Sequence, residues 1–175
     1  MRLTSAGRAE RFAALFAAHY GAVHAYGSRR VGPDAADEIA AETFLVAWRR
    51  FDDMPPEALP WLYGVARNIV LRHRTKTGRY LQTLEALQRA PIAGRDGGDD
   101  YDPGLWIAWG KLREEDREVL ALVAWEELSV AEAARVLGCP APLFSVRLHR
   151  ARRRLERLLS AGAAGPDRSR ILSEA

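Results

Sequence analysis

Apolar residues recur three and four positions apart through nearly the whole chain, the spacing of amphipathic helices, and strand-like alternation is scarce. Phe12, Leu15, Phe16, Tyr20, Val23 and Tyr26 line one side of a helix predicted from about Ala9 to Arg30, which Gly32–Pro33 stops. A second helix follows, with Asp34 positioned to cap it and Asp37 and Glu38 near its positive end. Ile39, Thr43, Phe44, Val46, Trp48 and Phe51 give it a wide apolar face. The paired prolines of Asp52–Pro56 demand a loop. A third helix is predicted from Pro60 to about Lys76, with Trp61, Leu62, Val65, Ile69 and Val70 on one face. Tyr63, Arg67, Asn68, Leu71 and Arg74 occupy much of the other, and Trp48 and Trp61 are expected in the core.

The pattern breaks at Gly78. A short helix is predicted near Tyr80–Leu87, and the Gly/Asp-rich run Pro91–Gly104 reads as a flexible linker. Fully extended, residues 78–104 would reach roughly 90 Å. The expected organisation is therefore all-α: a helical domain at 9–77, a linker at 78–104, a second helical domain at 105–160 and a frayed tail at 161–175.

Leu105, Ala108, Trp109 and Leu112 open the second domain at helical spacing, and Glu114–Trp125 continues it with Val119, Leu122 and Val123 inward. Ser129 followed by Glu132 forms a capping box. Gly138 ends that helix, and Pro142 suits the first position of the next. In this last helix Phe144, Leu148, Ala151, Leu155 and Leu158 advance by four, three, four and three, forming a core stripe. Arg147, Arg150, Arg154 and Arg157 form a basic stripe on another face. An amphipathic helix, a glycine turn and a second helix with a basic face make a helix-turn-helix, whose second helix enters the DNA major groove. Base contacts are expected from Ser145, Val146, His149 and Arg150, and phosphate contacts from Arg147, Arg153 and Arg154.

Composition narrows the function. The 175 residues, 48% of them hydrophobic, allow one or two small domains with real cores. Net charge is only +3 although the sequence pI is about 9.3. Local arginine patches fit this balance better than a uniform coat on DNA. The lone Cys139 excludes an internal disulfide and a thiolate zinc cluster and points to a reducing, cytoplasmic setting. Met1–Arg11 lacks the apolar core of a signal peptide, and no apolar run approaches a membrane span, so membrane insertion is not expected. No phosphate-binding glycine loop or Ser/His/Asp set is evident. His19, His24, His73 and His149 show no metal-ligand spacing. The chain reads as a non-enzyme without a cofactor.

Three segments, in this order and spacing, carry a family resemblance: Ala36–Trp48 (ADEIAAETFLVAW), Pro60–Asn68 (PWLYGVARN) and Leu128–Leu155 with its RLHRAR core. Together they span most of residues 10–160, and the chain resembles the extracytoplasmic-function sigma factors of bacterial RNA polymerase. The resemblance implies that the first domain corresponds to region 2, which docks on the polymerase clamp and recognises and melts the −10 element. The second would be region 4, which binds the −35 element and the polymerase flap, with the linker passing the active-site channel. It implies clamp contacts at Asp37, Glu38, Glu42, Leu45 and Arg49, and −10 contacts at Tyr63, Arg67, Asn68, Arg72 and Arg74. The loop Asp52–Leu59 would cup a flipped base. Core RNA polymerase, promoter DNA and an anti-sigma factor are the implied partners.

The chain departs from the common family pattern at Ala41, where many members carry Gln, and at Val46, where many carry a basic residue. At the recognition helix, Pro142–Arg147 (PLFSVR) stands where many members have GTVKSR. An unusual −35 preference is expected, with Val146 suited to a thymine methyl. A stand-alone helix-turn-helix regulator and a helical protein-interaction module are the competing functions. The first would need a dimer interface and a sensor pocket, and the basic stripe argues against the second.

Overall fold

The computed structural model describes residues 5–84 and 102–163, and every regular element among them is helical. The chain divides into two compact units, one holding the first three helices together with residues 135–138 and the other holding the rest of the last four helices.

In the first unit α1 spans Ser5–Val31, α2 Pro33–Arg49 and α3 Ala58–Leu84, with a single 3-10 turn at Phe51–Asp53. Each helix packs on the other two. The turn between α1 and α2 rests on Gly32, whose φ of 88° is open to glycine at little cost. Gly32 is also the N-cap of α2 and Pro33 its first residue. Asp34 therefore lies one step inside the helix and makes no side-chain cap, contrary to the sequence expectation, although its charge suits the positive helix end.

The core of this unit is formed by Val23, Tyr26, Ile39, Phe44, Leu62, Ile69 and Val70, together with the alanines Ala36, Ala40, Ala47 and Ala66. The small residues let the helices approach closely: a Cβ on Gly27 would stand 3.3 Å from the Ile39 side chain. Thr43 is buried because its hydroxyl donates to the Ile39 carbonyl at 2.7 Å. Trp48 departs from the core expectation. It is 38% exposed, with Phe12 edge-on at 5.0 Å and the Arg8 guanidinium 4.8 Å from its ring centre.

α3 also runs past the predicted end at Lys76, through Gly78 and Tyr80, to Leu84. A single glycine costs a helix about 1 kcal/mol but keeps its N–H, so it does not force a stop as proline does. The remainder of the predicted Tyr80–Leu87 helix, most of the linker and the tail beyond Ala163 lie outside the described residues.

In the second unit α4 spans Pro103–Lys111, α5 Glu114–Ala124, α6 Val130–Leu137 and α7 Ala141–Ala163. Asp102 caps α4, accepting from the Gly104 N–H at 2.8 Å. Glu114, Glu115 and Asp116 occupy the first turn of α5, where the helix dipole favours them. α7 packs against both α4 and α5, burying Phe144, Leu148 and Ala151 with Ala108, Leu112, Val119 and Leu122. Trp109 and Trp125 meet at 4.6 Å between ring centres.

The capping box forms as predicted. The Ser129 N–H donates to the Glu132 carboxylate at 2.8 Å, and the Glu132 N–H donates to the Ser129 hydroxyl at 3.3 Å. Gly138 takes φ 62°, and the following Cys139 N–H closes on the Ala134 carbonyl at 3.0 Å, which ends α6 and releases the chain into α7. Pro142 takes the second position of α7, one later than expected and equally free of a required N–H.

Candidate nucleic-acid interface

α7 carries two opposed faces. Phe144, Leu148 and Ala151 are buried, and Leu155 and Leu158 are half-buried along the same stripe. Pro142, Val146, His149, Arg150 and Arg153 project outward, with Leu143, Ser145 and Arg147 on the flanks, all of them exposed. Ser145 donates its hydroxyl hydrogen to the Ala141 carbonyl at 3.1 Å. Its oxygen thus faces solvent as an acceptor.

One predicted contact residue is placed differently. Arg154 is half-buried, and its guanidinium pairs with Asp116 of α5, whose side chain is only 14% exposed. This arginine ties α7 to α5 inside the second unit. Helical spacing on α7 could not reveal it, because Asp116 lies on another helix.

On α3 the predicted residues fall on two different faces. Asn68 and Arg72 are exposed on one, with Thr75 a turn further on. Tyr63, Arg67 and Arg74 lie on another. Tyr63 is 3% exposed, its ring 5.1 Å from that of Tyr26, so it is a core aromatic in this structure and offers no free ring. Arg74 is half-buried and donates from Nε and Nη2 to the Arg30 carbonyl near the end of α1, at 3.2 and 2.6 Å. That contact satisfies a carbonyl left without a partner at a helix C-terminus. Arg67 is half-buried. A cationic, accessible surface on α3 therefore runs through Asn68, Arg72 and Lys76 rather than through all five predicted positions.

The outward face of α2 brings together Asp37, Glu38, Leu45 and Arg49, all exposed, with Glu42 half-exposed. Arg72 reaches across from α3 to the Glu42 carboxylate at 2.5 Å, joining a residue expected at DNA to one expected at polymerase. The two line a cleft between α2 and α3 with Glu38, Ile69 and His73. Sequence spacing did not reveal the environment of Asp37: Tyr20 donates to it at 2.9 Å, and His24 Nε2 lies 3.3 Å from the same oxygen. Neighbouring positions 20 and 24 on α1 were the available signal. Leu45, Trp48 and Phe16 add exposed apolar surface to this unit.

Among the described residues no group of His, Cys, Asp and Glu could hold a metal ion, and no helix is long and apolar enough to cross a membrane.

Two segments match sigma-70 families, residues 15–80 the description "Sigma-70 region 2" and residues 108–155 "Sigma-70, region 4". They define a sigma factor of the sigma-70 class, with region 2 in the first helical unit and region 4 in the second. The chain is 30% identical over 174 residues to the RNA polymerase sigma factor CnrH of Cupriavidus metallidurans, covering 90% of this chain and 91% of CnrH. It is 30% identical over 141 residues to the ECF RNA polymerase sigma factor EcfG of Rhodopseudomonas palustris, covering 77% and 78%. The fold matches CnrH solved in complex with the cytosolic domain of CnrY, with a TM-score of 0.60, 28% identity and coverage of 86% and 88%. The chain belongs to the extracytoplasmic-function family of RNA polymerase sigma factors, proteins that direct promoter-specific initiation of transcription.

Proposed function

We propose that the two units divide promoter recognition between them, the first at residues 9–77 serving the −10 element and the clamp of core RNA polymerase, the second at 105–160 serving the −35 element and the flap. The observation that carries this reading is the outward face of α7, where His149, Arg150 and Arg153 stand exposed opposite a buried stripe. That is the arrangement a recognition helix needs in a major groove. Ser145, Val146, His149 and Arg150 face base edges, and Arg147 and Arg153 face phosphates. Arg154 acts by holding α7 on α5 through Asp116.

On the first unit, Asp37, Glu38, Glu42, Leu45 and Arg49 form the polymerase surface. Asn68 and Arg72 meet the −10 strand directly, with Arg67 at the margin. Tyr63 and Arg74 hold α3 in place. The protein acts in the cytoplasm without chemistry of its own, as a specificity subunit of the polymerase. An anti-sigma factor restrains it. The related CnrH was solved bound to the cytosolic domain of CnrY, which supports a protein partner for this fold.

Pull-down of core polymerase and run-off transcription from genomic promoter fragments test the proposal. The expected result is a stable complex and transcripts whose start points share paired −35 and −10 elements. Sequence-specific binding of duplex DNA by the chain alone, without any association with polymerase, would instead identify a stand-alone regulator.

A further inference from the structure

The N-terminal turn and a half of α7 is unusual for a surface offered to a polyanion. Pro142, Leu143 and Val146 are all exposed there, Leu143 at 43% and Val146 at 46%, and none is drawn into the core stripe of Phe144, Leu148 and Ala151. The polar residue between them has its donor occupied, since Ser145 gives its hydroxyl hydrogen to the Ala141 carbonyl. One turn later the same face becomes cationic at Arg147 and Arg150. The helix thus presents an apolar tip followed by a basic shaft.

This pattern selects the ligand chemistry. The basic shaft complements phosphate on either side of a groove. An apolar side chain held in that groove gains nothing from a hydrogen-bonding base edge, and the apolar group a major groove offers is the thymine C5-methyl. Leu143 and Val146 are three residues apart, a separation of roughly 4.5 Å along the helix axis. Successive bases are about 3.4 Å apart along one strand, so the two side chains address neighbouring base pairs. Pro142 fixes φ at the start of the helix, which limits the tip's freedom to turn away.

We infer that Leu143 and Val146 are specificity-determining residues that read the methyl groups of adjoining thymines in the −35 element. The inference rests on the sigma-factor reading of α7 and narrows it to a chemical feature of the DNA.

The test uses the full chain assembled with core polymerase. Promoters are first selected from a library randomised at −35. Each thymine of the selected element is then replaced singly by uracil, which removes the methyl and leaves the base-pairing edge intact. At one or two adjoining positions, uracil is expected to weaken holoenzyme binding about fourfold, the worth of one buried methyl group. Leu143→Ala with Val146→Ala should bind the thymine site more weakly and no longer distinguish thymine from uracil there. Helix content and melting temperature of the double variant should match the parent, because both side chains lie outside the core.

A holoenzyme that initiates from selected promoters yet is indifferent to every uracil replacement overturns this inference and leaves the sigma-factor reading standing. Failure to form a holoenzyme overturns both. If the double variant keeps its uracil sensitivity but loses binding to a protein inhibitor, the apolar tip belongs to a protein surface, and the inference is likewise overturned.

Discussion

The Tyr20 hydroxyl of α1 donates to the Asp37 carboxylate of α2 at 2.9 Å, linking two helices at the rim of the first unit. This hydrogen bond, with a smaller contribution from desolvation and the nearby negative charge, raises the phenol's pKa above its ordinary 10.0. A raised folded pKa means the interaction is fully present below the ordinary value and is lost as pH rises through the folded one. An ultraviolet difference titration should contain a tyrosine that ionises above the ordinary phenol value and that Tyr20→Phe removes. Urea midpoints should fall more steeply above pH 10.0 for the parent than for the variant. Parallel loss in both would refute the assignment.

Arg154 and Arg153 are neighbours in different surroundings, the first paired with Asp116 and the second exposed. Arg154→Ala leaves the mostly buried Asp116 without its partner and should cost about 1–3 kcal/mol of unfolding free energy in the second unit, toward the lower end because the arginine is one-third exposed. Arg153→Ala should leave thermal stability unchanged. It should instead weaken promoter binding by the holoenzyme and make the log–log salt dependence shallower by about one. Equal melting temperatures for the two variants would show that the Asp116 pair contributes nothing.

Ser129→Ala removes one half of the capping box and should destabilise the second unit by about 1 kcal/mol. Gly138→Ala should cost a similar amount, because φ 62° is strained for any residue with a Cβ. Both effects are read from thermal melts. Neither variant should alter base preference once it is folded and assembled.

These local devices were legible in the sequence because each depends on residues a few positions apart. Ser129 and Glu132 are three apart, Gly138 ends the run they start, and the Phe144–Leu158 stripe repeats at helical spacing. What the sequence left undecided depends on other helices. Tyr63 and Asn68 both lie off the apolar face that spacing assigns to α3, and only the position of Tyr26 on α1 makes one of them core and leaves the other at the surface. Arg74 reads as a phosphate ligand until the Arg30 carbonyl of α1 is placed beside it. Trp48 reads as core because of its size, yet it lies at the end of α2, where Phe12 and Arg8 cover only part of the ring. Gly78 reads as a stop because glycine ends many helices, while here α3 continues through it to Leu84.

The two-faced build of α7 bears on how such a protein changes over generations. Phe144, Leu148 and Ala151 keep the unit folded, while Leu143, Val146, Arg150 and Arg153 play no part in that interior. Substitutions at the outward positions therefore carry little penalty in folding. On the proposed reading of α7, a lineage can shift the set of genes this protein serves one base preference at a time, with no compensating change inside the molecule.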